Sequence, residues 1–204
     1  MPDPKALQVT ISLDDVKPRV WRRLLVPLDW DLEKLHLAIQ AAFNWCNSHL
    51  SQFEIDDVVY GDRALLDDDG FEDEGEEGIV EYIGFPVANL LEKGPFYYRY
   101  DFGDDWQHSV TIDKLVTLDA PPEHAVCVAG AQARPPEDVG GALGYEAFLE
   151  VMADPKHEDY AHLKRWSGGN FDPKWFDIDR INLDLSHALE PDVKRPRHQP
   201  RRKV

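Results

Sequence analysis

Residues 7 to 13, LQVTISL, alternate apolar and polar positions, the period of a strand with one dry face. VWRRLLVP, 20 to 27, alternates again after a Lys17-Pro18 break, so the two predict a strand pair. From Asp31 the period lengthens. Leu32, Leu35, Ile39, Ala42 and Phe43 fall on one face of a helix that Asp29 or Asp31 can cap, with His36 beside Leu35 near that face's edge. QFEIDDVVYG, 52 to 61, returns to strand character, and FYYRYDF with WQHSVTIDKLV supplies a late hairpin.

The last third changes character. Tyr145, Phe148, Leu149 and Met152 follow helical spacing in a helix opening near Gly144 and stopping near Asp154-Pro155. Tyr160, Leu163 and Trp166 mark a second short helix that Gly168-Gly169 ends, and Ile178, Ile181, Leu185 and Leu189 line one stripe of a third. None is long enough to stand alone, so all should pack on the sheet of one domain, residues 1 to 190. The order strand, strand, helix, strand, late hairpin predicts an α+β fold. Its mixed β-sheet should be β-grasp-like or roll-type, with the C-terminal helices added.

Register can be derived for YDFGDDWQHSV, 100 to 110. A two-residue loop would mix aromatic and polar groups on each sheet face, whereas an odd loop of Gly103, Asp104 and Asp105 sets Phe102 opposite Trp106, Tyr100 opposite His108 and Tyr98 opposite Val110. The odd loop is expected because it makes one face aromatic. Asp104 and Asp105 then sit at the loop tip, Asp101 faces away from His108, and His108 reads as a core-edge histidine bonded to Tyr100 or to another strand.

Composition narrows the function classes. The chain has 204 residues, 43% of them hydrophobic, with six Trp, enough for a proper core. No run approaches the length of a membrane span, and MPDPKALQ carries no secretory pattern, so a cytoplasmic location is expected. Cys46 and Cys127 are too few for a disulfide framework or a thiolate zinc site and read as buried thiols. The net charge is −17, and it is uneven. From Pro191 onward six basic residues oppose Asp192, giving +5, so residues 1 to 190 carry −17 − 5 = −22. Such a body repels nucleic acid, while the Pro-rich basic tail, 191 to 204, reads as a disordered arm able to meet nucleic acid or an acidic partner. DDDGFEDEGEE, 67 to 77, lacks the alternating ligand spacing of a calcium loop and reads as a solvated acidic loop.

Six ordered stretches carry a resemblance: PRVWRRLLVP with LEKLHLAIQAAFNW and HLSQF, then YDFGDDWQH, then CVAGAQARPPEDVGGALGYEAF, then FDPKWFD. From about Leu7 to Leu189 the chain resembles the plasmid pRiA4b ORF-3-like family, some members of which are named TnpR-like passenger proteins of insertion elements. The resemblance implies an α+β fold and a plasmid or transposon association, and it implies no established activity. Ser51 stands where relatives typically carry a second His, and Arg134 where they often carry Cys, so a metal site built on either would be incomplete.

The chemistry-bearing candidates are Asp101, Asp104, Asp105, His108, Glu137 and Asp138, with His49, Trp106 and Tyr145 as cleft candidates. In PPEDVGG, Glu137 and Asp138 present adjacent carboxylates and Gly140-Gly141 frees the backbone, so the segment either caps the next helix or joins His49 and the hairpin tip in a polar cleft. The first reading is a non-catalytic interaction or accessory module with a protein or peptide partner and no cofactor. The alternatives are a metal-dependent hydrolase or nuclease using Mg or Mn at the Asp, His and Glu groups, and a recombination-linked accessory factor.

Overall fold

Alternation in the first strand decides which side of the sheet is dry. Strand β1 (Lys5–Leu13) turns Leu7, Val9, Ile11 and Leu13 to the interior and keeps Gln8 and Thr10 half-exposed. Strand β2 (Trp21–Pro27) pairs with it antiparallel and adds Arg22, Leu24 and Val26 to the same face. Helix α1 (Leu32–Phe43) lies across that face, its first turn held by Asp31, whose carboxylate accepts from the Lys34 N–H at 3.1 Å. Each large apolar side chain buried this way contributes about 1.5 to 3 kcal/mol.

The remaining strands are β3 (Ser51–Ile55), β4 (Val58–Gly61), β5 (Val80–Glu81), β6 (Phe96–Tyr100), β7 (Trp106–Thr117) and β8 (Val126–Ala131). They complete one eight-stranded sheet in the order β5-β4-β3-β6-β7-β1-β2-β8. Among the described residues only β4 and β5 pair in parallel, so the sheet is mixed and the fold is α+β. A 3-10 turn spans Val87–Glu92, followed later by helices α2 (Gly141–Ala153), α3 (Tyr160–Trp166) and α4 (Ile178–Ser186). This computed structural model describes residues 5–61, 79–120, 122–169 and 171–190. The acidic run 67–77 and the basic segment 191–204, with the expectations attached to them, lie outside the described residues. Among the described residues no helix is long and apolar enough to cross a membrane.

The β6–β7 hairpin has the expected parity but a different register. Tyr100 lies opposite Trp106, Tyr98 opposite His108 and Phe96 opposite Val110, so residues 101–105 form the loop rather than 103–105 alone. Any odd loop keeps the aromatic face together, and burial therefore fixes parity without fixing length. Local turn chemistry decides the length. Asp101 takes a left-handed φ of 57° and its Oδ1 accepts from the N–H groups of Gly103 at 3.1 Å and Asp104 at 3.3 Å. Phe102 leaves the ladder, and the Arg99 guanidinium lies over its ring at 4.9 Å.

Two helix boundaries also differ from expectation. Helix α2 begins at Gly141 rather than near Gly144, with its cap Gly140 at φ 91° and its first residue Gly141 at φ 68°. Helix α4 ends at Ser186, leaving Leu189 beyond its last turn. Strand β8, which the apolar pattern did not signal, closes the sheet edge beside β2 and receives α4: Asn182 bonds both the N–H and the C=O of Cys127, at 2.7 and 3.1 Å. Cys127 is buried as expected, whereas Cys46 is only half-buried.

Arg22 is a fully buried cation at an inward strand position. It donates to the carbonyls of Trp21, Ala42, Ala131 and Gln132 at 2.7 to 3.0 Å and lies between the rings of Phe43 and Phe176, each 5.1 Å away. Burial lowers its pKa to about 10, which leaves it charged near neutrality. It ties β2, the end of α1 and the residues after β8 into one corner.

Candidate functional site

The segment from Asn44 to Leu50, between α1 and β3, carries His49 and is fastened at several points. Asn44 caps α1 in the left-handed region at φ 56°, and the N–H groups of Cys46, Asn47 and Ser48 donate to Glu137 Oε1 at 2.6 Å, Gln40 Oε1 at 2.9 Å and the Tyr100 hydroxyl at 3.2 Å. The Asp101 N–H donates to the Leu50 carbonyl at 2.9 Å, which brings the hairpin loop alongside.

Three of the expected groups come together there. His49 Nε2 lies 3.6 Å from Asp101 Oδ2 and 3.3 Å from Asp138 Oδ1, and one ligand atom from each residue falls within 4.8 Å of the other two. Their exposures are graded: the side chain of Asp101 is 8% exposed, that of His49 32% and that of Asp138 72%. The Tyr100 ring stands edge-on to the imidazole at 5.8 Å, and its hydroxyl donates to Glu137 Oε2 at 3.5 Å. Burial, reinforced by the Glu137 charge, pushes the Tyr100 phenol up to about 12, so it stays protonated as that donor.

The other candidates are placed apart from this trio or serve the backbone. Asp104 accepts from the Gly140 N–H at 3.1 Å, and Asp105 pairs with Arg99. The hairpin loop presses so closely on the next segment that a Cβ on Gly141 would lie 2.5 Å from the Asp104 carbonyl oxygen. Glu137 secures the Cys46 N–H. His108 is in the core rather than at its edge, and of the two expected partners it takes the one on another strand, the Tyr98 carbonyl of β6, and not Tyr100. Its Nδ1 lies 3.1 Å from the carbonyls of both Tyr98 and Trp106, and its Nε2 accepts from the Trp45 indole at 3.3 Å. Burial lowers its pKa to about 4.

Trp106 and Tyr145 are buried in separate aromatic clusters. Trp106 stacks on Trp45 at 5.7 Å, and its indole N–H has no partner among the described residues. Tyr145 packs against Phe148 and Phe171, which also touch each other. The residues at 51 and 134 have their own roles: Ser51 Oγ lies 3.2 Å from His36 Nδ1, and the Arg134 guanidinium lies 5.1 Å over Trp45 while donating to the Asn44 carbonyl at 3.1 Å.

A groove of about 450 Å³ runs between α2 and α3 and begins at Asp138. Val139, Phe148, Val151, Leu163 and Trp166 form its apolar lining, with Asp159 and His162 among its polar groups. Trp166 is 42% exposed although it sits edge-on to Phe148 at 5.9 Å. The sequence gives little warning of this surface, because Trp166 and Leu163 share the spacing of an ordinary packed stripe. A histidine and a tryptophan four residues apart on a short helix are the available signal.

The chain matches the family described as plasmid pRiA4b ORF-3-like protein over residues 5–180. It is 38% identical over 164 residues to the uncharacterized protein y4hQ of Sinorhizobium fredii, covering 80% of this chain and 81% of that one. Among solved structures it is similar to the protein of unknown function MM3350 from Methanosarcina mazei. The TM-score is 0.74 at 33% identity, over 87% of this chain and 97% of that one. The protein belongs to the plasmid pRiA4b ORF-3-like family.

Proposed function

For this member of the family we propose a non-catalytic interaction module that takes up a basic peptide segment bearing an apolar anchor. The observation that carries the reading is the α2–α3 groove, which joins an apolar floor and a half-exposed Trp166 to carboxylates at Asp138 and Asp159. An aromatic or aliphatic side chain can lie on that floor against the half-exposed Trp166, and a lysine or arginine nearby meets the carboxylates. The chain's net charge of −17 favours the approach of such a segment and disfavours an acidic one.

The use of the other candidate groups supports binding over catalysis. Asp104 and Glu137 hold backbone N–H groups, Asp105 holds Arg99, and His108 bonds within the core. A metal-dependent hydrolase or nuclease built on all six groups would need them around one point.

Selection of random peptides on the full chain tests the proposal. Enriched sequences should place Lys or Arg close to an aromatic or aliphatic residue. Their affinity should fall by more than about tenfold in Trp166→Ala, as expected for loss of an aromatic anchor. No enrichment, or enriched peptides that bind Trp166→Ala and Asp159→Asn as well as the native chain, would overturn it.

A further inference from the structure

We infer that His49, Asp101 and Asp138 form a site for one divalent transition-metal ion of the zinc class. Three atoms from three separate loops face one another there. In a tetrahedral zinc site with bonds near 2.0 to 2.1 Å, neighbouring ligand atoms are about 3.3 Å apart. The two distances from His49 Nε2, 3.3 and 3.6 Å, lie close to that spacing, and the third pair stays within 4.8 Å. An ion among them needs only a small adjustment of the exposed Asp138.

Asp101 supplies a second, independent reason. It is nine-tenths buried, and its Oδ1 is held by the Gly103 and Asp104 N–H groups, whereas its Oδ2 accepts no hydrogen bond among the described residues and points at His49. A carboxylate so largely withdrawn from water favours a cation at its second oxygen. A metal ion there takes the His49 Nε2 lone pair and meets Asp138 as well.

The donor set selects the ion. One imidazole and two carboxylates suit zinc and its neighbours better than magnesium, which prefers an all-oxygen octahedron and retains its waters. Three protein ligands leave a fourth position for water or a ligand. This inference does not depend on peptide binding. His49 is not among the groove-lining residues, so its replacement leaves the groove walls in place and the two activities can be lost separately.

The test uses the full chain, freed of metal with a chelator. Zinc is titrated calorimetrically near pH 7, and cobalt(II) is followed by its visible absorption. One saturable zinc site is expected, unaffected by a large excess of magnesium. The cobalt adduct should show the strong visible bands of four-coordination. His49→Ala and the surface variant Asp138→Asn should each weaken zinc binding more than tenfold and abolish those bands, with unchanged thermal unfolding of the metal-free proteins. Zinc isotherms of both variants that superimpose on the native one would overturn the inference. So would the lack of a saturable site in the native chain, or a weak six-coordinate cobalt spectrum.

Discussion

Replacing His108 by leucine should destabilise the protein near neutral pH, and that deficit should shrink or reverse near pH 4. In the native chain the imidazole is fully buried among Phe43, Trp45 and Tyr98, with Nδ1 facing two carbonyls and Nε2 accepting from the Trp45 indole. The neutral ring fits this arrangement. A second proton would sit on Nε2 against another donor and place a charge where water does not reach, so the pKa falls from 6.5 to about 4. Because the folded value lies below the unfolded one, the unfolded chain binds more protons between them. The stability contributed by neutral His108 is therefore complete above 6.5 and is lost as pH falls through 4. The gap corresponds to about 3 kcal/mol. Leucine has a similar volume and does not titrate, but it leaves the buried Trp45 N–H unpaired at a cost of about 1 to 3 kcal/mol. Urea unfolding followed by tryptophan fluorescence at steps from pH 7 to pH 4 gives both curves. Native and variant stabilities should converge by about 3 kcal/mol across that range. Parallel curves would mean that His108 does not titrate from a buried neutral state.

Gly141→Ala should lose about 2 kcal/mol or more in urea unfolding, because the new Cβ meets the Asp104 carbonyl and the residue sits at a φ of 68°; a neutral effect would show that the hairpin loop does not press on that segment. A chain ending at Glu190 should not retard duplex DNA in a gel at physiological salt, since its −22 charge must overcome the phosphate field. Tight, salt-sensitive binding by that chain would revive a recombination-linked role.

Local signals were legible in the sequence, and convergent ones were not. The α1 stripe and the Asp31 cap lie within one short stretch, so period and capping chemistry point the same way. The aromatic hairpin face was legible as parity, yet its register depended on an Asp101 turn that burial does not control. The trio of His49, Asp101 and Asp138 depends on the left-handed turns at Asp101 and Asp138 and on the tight docking at Gly141. Each turn is a local backbone choice, but their meeting is a property of the assembled sheet end. Trp106 and Tyr145 illustrate the converse. Aromatic residues beside polar motifs suggested a cleft, whereas their apolar area made them core. The groove stayed hidden because half-exposure of Trp166 depends on how α3 meets α2, which spacing alone does not encode.

The most direct measurement is a two-dimensional amide NMR titration of the full chain with a selected Lys- and aromatic-bearing peptide. Saturable shifts should concentrate at Asp138, Val139, Phe148, Leu163 and Trp166, and they should vanish in Trp166→Ala while its remaining spectrum is preserved. Shifts centred on another surface, or groove shifts that persist unchanged in Trp166→Ala, would contradict a binding module built on the α2–α3 groove.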